Sequence, residues 1–132
     1  MNRKTARENA FLLLCDAGGD PAKTPDEILD DAITLELEVD NYVREIVFGT
    51  YEHREEIAAV SGECLLGWKR ERISPVSRAI ITLATYELKF MPDIPTKVSI
   101  NEGIELAKKY DDEKTYAFVN GVLNAVAKAV RP

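Results

Sequence analysis

Apolar positions recur along this chain with a period near 3.6, and no stretch alternates residue by residue as a half-buried strand would. The pattern predicts a first helix from about Arg3 to Ala17, with Ala6, Ala10, Leu13, Leu14 and Ala17 on one face. Gly18-Gly19-Asp20-Pro21 should stop it. In Thr24-Pro25-Asp26-Glu27 a capping threonine precedes a proline at the first helical position, with a glutamate three residues beyond the threonine. That capping box opens a short second helix to about Ala32. A third helix from Asp40 turns Val43, Ile46, Val47 and Thr50 inward, and a fourth is expected from Glu55 to Leu66 with a break near Gly67. Ser74-Pro75 starts a long fifth helix with Val76, Ala79, Ile80, Leu83 and Leu88 inward. Met91-Pro92-Asp93-Ile94-Pro95 ends it. The sixth carries Ile100, Gly103, Ile104 and Ala107 on one stripe. The last begins after Asp111-Asp112, whose charge suits a helix N-terminus, and buries Val119, Val122, Leu123 and Val126. The expectation is an all-α, single-domain bundle of about seven helices over residues 1–132.

Charge sharpens this picture. The net charge is −6, which argues against non-specific nucleic-acid binding, since that depends on neutralising phosphates. Acids crowd Asp16 to Glu45, opposed only by Lys23 and Arg44, whereas Arg3, Lys4 and Arg7 make the N-terminus positive. Any RNA site must therefore be a small basic patch on a repelling body. No apolar run approaches the roughly 18 residues of a membrane helix, and MNRKTARENA carries no apolar leader, so a cytoplasmic protein is expected. Cys15 and Cys64 lie far apart and should be reduced, packed thiols; His53 is the only histidine, which argues against a zinc site of His and Cys.

Two places could carry binding chemistry. Arg3, Lys4 and Arg7 lie three and four residues apart, so all three fit one helical face, expected opposite Ala10 and Leu14. Arginine suits RNA because its planar fork grips phosphate and its flat face stacks on bases. From spacing alone, such a cluster reads first as a solvated helix turn. In the last helix, Phe118 and Asn120 fall outside the apolar stripe. Phe118 is either core or a stacking platform for an unpaired base. Asn120 either bonds a loop carbonyl or reads a base edge. Gly121 would admit a close approach to the backbone, and Lys114 would reach phosphate. Asn101-Glu102 and Tyr86-Glu87 lack a nucleophile, base or metal set, and the Gly18-Gly19 pair is a helix stop. Tyr86 should pack with its hydroxyl satisfied at the core edge, and Asn101-Glu102 should serve hydrogen bonding to a neighbouring helix end. No catalytic constellation, metal or cofactor is expected.

Asn next to Gly in mid-helix is unusual on propensity grounds. The string Phe118-Val119-Asn120-Gly121-Val122-Leu123-Asn124 resembles that of the NusB family. Ala6-Arg7-Glu8, Ala84-Thr85-Tyr86-Glu87-Leu88, and Ile100-Asn101-Glu102 leading into Glu105-Leu106-Ala107 agree in order and spacing. The resemblance implies a fold of two helical sub-bundles and a non-enzymatic transcription antitermination factor. Such a factor binds single-stranded boxA RNA of ribosomal RNA leaders together with NusE, a small-subunit ribosomal protein. The pair then joins other Nus factors on RNA polymerase. By the same resemblance Arg3, Lys4, Arg7, Phe118 and Asn120 would face RNA, although the N-terminal cluster is thinner than the family's; Lys114, at the start of the last helix, would add a phosphate contact. The long helix bearing Arg78 would meet the protein partner, and the chain would be a monomer or a homodimer. Two alternatives stand beside this: the detached RNA-binding domain of a ribosomal RNA methyltransferase, and a purely protein-binding helical module. With no cofactor-binding domain in the sequence, a free-standing factor is the expectation.

Overall fold

The computed structural model describes residues 1–65 and 73–132. Its helices are α1 (Arg3–Ala17), α2 (Pro25–Thr34), α3 (Asn41–Glu52), α4 (Arg54–Glu63), α5 (Pro75–Phe90), α6 (Thr96–Tyr110) and α7 (Glu113–Val130). The expected break near Gly67 and the end of the fourth helix at Leu66 lie outside the described residues.

Short polar side chains set where these helices begin. Asn2, Asp40, Ser74 and Asp112 each accept a backbone N–H three residues on, and Thr24 and Glu27 complete the expected capping box. Helix ends are less regular. Gly18 closes α1 in a right-handed conformation (φ −60°), so the stop there is not a left-handed glycine cap. The left-handed cap occurs after α2, at Glu36 (φ 55°): its N–H reaches Ile33 O, and the Leu37 N–H reaches Ala32 O.

α5 is the central element. It packs against α1, α3, α4, α6 and α7, so α1–α3 on one side and α6–α7 on the other share it as a common wall. Burial follows: Leu83, Ala84, Thr85, Tyr86, Glu87 and Leu88 are all buried, where the sequence pattern supplied only a stripe. Ile46, Val47, Ile80, Val119, Val122 and Leu123 fill the space between the layers. Gly103 permits the close fit of α6, since a Cβ there would stand 2.8 Å from Leu123 Cδ1. Gly49 does the same for α3, where a Cβ would stand 2.4 Å from the Tyr86 ring. Cys15 and Cys64 are free thiols, and no described helix is long and apolar enough to cross a membrane.

Candidate nucleic-acid interface

Arg7 differs from the sequence expectation. It does not stand on the solvated face with Arg3 and Lys4; it is 4 % exposed, and its Nε donates to Glu87 Oε2 at 2.8 Å. Glu87 is fully buried on α5 and also accepts from the Tyr42 hydroxyl of α3 and, at 2.7 Å, from the Ser99 hydroxyl of α6. One carboxylate thus ties together four helices. Desolvation works against the Arg7 charge, but hydrogen bonding and Coulombic attraction to Glu87 outweigh it and raise its pKa. Tyr42 is held neutral, with its pKa raised first by burial and then by Glu87.

Arg3 and Lys4 do reach the surface. The Arg3 guanidinium lies 4.4 Å from the centroid of the Tyr42 ring, so the ring whose hydroxyl binds Glu87 also carries Arg3 on its face. Lys4 Nζ crosses to α6 and donates to Glu102 Oε2 at 3.0 Å. Further along, Lys109 Nζ donates to Glu8 Oε2 at 2.6 Å, and the Tyr110 hydroxyl donates to the same oxygen at 3.1 Å. Those bonds lower the Glu8 pKa, the Lys109 hydrogen bond foremost. The side chains span a groove of about 230 Å³ between α1 and α6, lined by Lys4, Glu8, Glu102, Glu105 and Lys109 among others.

The seam continues past the end of α6. Tyr110 packs its ring 5.1 Å from that of Phe11, and the neighbouring Asp111 accepts from the Ser74 hydroxyl at 3.2 Å. Beyond Ser74 lies a depression of about 200 Å³ walled by Ile73, Ser77, Asp112, Lys114, Thr115 and Phe118. Lys114 and Phe118, four apart on α7, therefore share one hollow, with Lys114 exposed and Phe118 half-buried. Asn120 is exposed but not in that hollow. At about 100° per residue, Phe118 and Asn120 flank the buried Val119 on opposite sides. Asn120 instead accepts from Asn124 Nδ2, through its carbonyl at 2.8 Å and its Oδ1 at 3.0 Å. Phe118 and Asn120 thus do not form one aromatic-amide patch.

Spacing and composition do not mark Lys109, Tyr42, Glu87 or the acids Glu8 and Glu102 as site residues. Lys108-Lys109 was visible as a basic pair ending a helix, and Glu87 as one charge inside Leu83-Ala84-Thr85-Tyr86-Glu87-Leu88. Arg78 is exposed on α5, at the rim of an apolar groove of about 280 Å³ whose walls include Ile57, Leu65, Ile73 and Ile81. Among the described residues no group of three or more His, Cys, Asp or Glu side chains is placed to hold a metal ion.

Comparison with known proteins gives this seam its context. The NusB family model matches residues 4–128. The chain belongs to the NusB family. That family is one of non-enzymatic RNA-binding antitermination factors. The chain is 44 % identical to the transcription antitermination protein NusB of Geobacillus kaustophilus, over 99 % of each chain. To the Bacillus subtilis protein of the same name it is 39 % identical, over 96 % of this chain and 95 % of that one. The solved structure of T. maritima NusB superposes with a TM-score of 0.84 at 32 % identity, covering all of this chain and 94 % of that one. A crystal structure of the antitermination factors NusB and NusE in complex with double-stranded RNA matches with a TM-score of 0.83 at 28 % identity, over 96 % of each chain.

Proposed function

We propose that this chain is a transcription antitermination factor, a single RNA-binding domain that binds boxA RNA of ribosomal RNA leaders together with NusE. The observation that carries this reading is similarity over nearly the whole chain to transcription antitermination proteins, including a relative held with NusE and RNA. In this reading the protein works in the cytoplasm, as a monomer or a homodimer. With NusE it joins other Nus factors on RNA polymerase and suppresses termination.

The geometry supports a division of labour. Lys4 and Lys109 meet phosphates along the α1–α6 groove, Arg3 meets one from its place over the Tyr42 ring, and Lys114 meets another at the hollow. Phe118 stacks an unpaired base there, worth about 1–3 kcal/mol. Asn120, on the other flank of α7 and bonded to Asn124, lies off this path, and the buried Arg7 holds Arg3 in place through Tyr42 without touching RNA. With about four phosphates neutralised, the log–log salt slope for a single strand is near −3. Binding by this chain alone is therefore weak, and a basic partner attracted by its acidic surface adds the missing affinity. The apolar groove beside Arg54 and Arg78 is the proposed seat of that partner's apolar residues, while its positive charge meets the acidic surface elsewhere.

The test is a titration of boxA-like and scrambled RNA, each single- and double-stranded, with and without NusE. The reading expects NusE to tighten binding of the single-stranded boxA-like RNA selectively. Equal binding of boxA-like and scrambled RNA in the presence of NusE would overturn it.

A further inference from the structure

The exposed ammonium groups that line the α1–α6 groove are already occupied by the protein's own carboxylates. The two pairs run in opposite senses: Lys4 of α1 holds Glu102 of α6, whereas Lys109 of α6 holds Glu8 of α1. Both lysines are well exposed, at 69 % and 60 %, and their partners are about a quarter exposed. Glu105 adds a third carboxylate to the lining, and Arg7, the remaining cation there, is paired internally with Glu87. The groove thus presents two accessible ammonium groups against three carboxylates. A phosphate entering it must displace a carboxylate from each lysine and then sit beside the displaced group.

Resting on the RNA reading above, we propose that Glu8 and Glu102 are built-in competitors for phosphate, which hold down the affinity of the free protein for RNA of any sequence. Each lysine exchanges one oxyanion for another on binding, so the favourable contact is largely a replacement. Exposed ion pairs of this kind are weak and salt-screened, which makes the exchange easy when many contacts form together and unrewarding when few do. The freed carboxylates also take up cations as the RNA gives up its own, which flattens the salt dependence. The consequence is a protein that stays off RNA until a partner supplies contacts elsewhere.

The experiment compares wild type, the Glu8→Gln/Glu102→Gln double variant and the Lys4→Gln/Lys109→Gln double variant. Each is titrated with single-stranded boxA-like and scrambled RNA at several salt concentrations, without NusE. Removing the two carboxylates should tighten binding of both RNAs about tenfold and steepen the log–log salt slope by about 1. Removing the two lysines should weaken both. Unchanged or weaker binding in the carboxylate variant, with weaker binding in the lysine variant, would overturn the competition while leaving the RNA site in place. If neither variant changed binding, RNA would not use this groove, and the reading it rests on would fail there too. The single variants Glu8→Gln and Glu102→Gln, each removing one surface pair, give the same reading should a double variant not fold.

Discussion

At the residue scale, Glu87 has the largest consequences. Its carboxylate accepts from Arg7, Tyr42 and Ser99 in a site that water does not reach. Removing it leaves a buried guanidinium without a counter-charge, and breaking a buried pair from one side is far more costly than never having formed it. Glu87→Ala should lower stability by about 3–5 kcal/mol in urea denaturation, with Glu87→Gln costing less because its amide oxygen still accepts. Tyr86, next along the helix, points the other way, donating from its hydroxyl to Glu45 Oε2 at 3.1 Å. Burial, that hydrogen bond and the nearby carboxylates push its pKa up to about 12. In the unfolded chain a tyrosine ionises near 10. The stability Tyr86 contributes by staying neutral is therefore fully present below pH 10 and is lost as pH rises towards 12. Tyr86→Phe should lose less stability than wild type between pH 10 and pH 12, measured by denaturation at each pH.

At the scale of elements, most helices could be read from the chain because their signals are local. Thr24-Pro25, Ser74-Pro75 and Asp111-Asp112 mark starts, and the stripes of α3 and α7 are buried as the pattern indicates. The misplacement of Arg7 has a different origin. A charge beside Lys4 on an amphipathic helix reads as solvated, and the carboxylate that reverses this lies 80 residues away. Distance along the chain also conceals Arg131, a residue with no motif whose partners lie 35–44 residues away. Its guanidinium donates to the carbonyls of Glu87, Leu88, Met91 and Ile94 and to the Thr96 hydroxyl, at 2.7–3.2 Å. It closes the last turn of α5 and the bend into α6, satisfying carbonyls that a helix end leaves open. Arg131→Ala should cost about 2–3 kcal/mol by thermal or urea denaturation, since several charge-assisted bonds go at once. Arg131→Lys should recover only part of that, because an ammonium lacks the fork.

At the scale of the whole molecule, the sequence carried the fold class and the partition between an acidic body and a small basic corner, since both are sums over many residues. The continuity of the seam was not legible. It depends on Lys4, Glu8, Lys109 and Tyr110 meeting across a groove, and on Lys114 and Phe118 sharing a hollow. In the proposed function, RNA lies along this seam, from the Arg3 end of α1 to the Lys114–Phe118 hollow. The most direct test is an amide chemical-shift titration of the chain with single-stranded boxA-like RNA in the presence of NusE, referenced to the binary protein complex. RNA-dependent shifts should concentrate at Arg3, Lys4, Lys109, Lys114 and Phe118. Shifts confined to other surfaces, with those five unmoved, would contradict it.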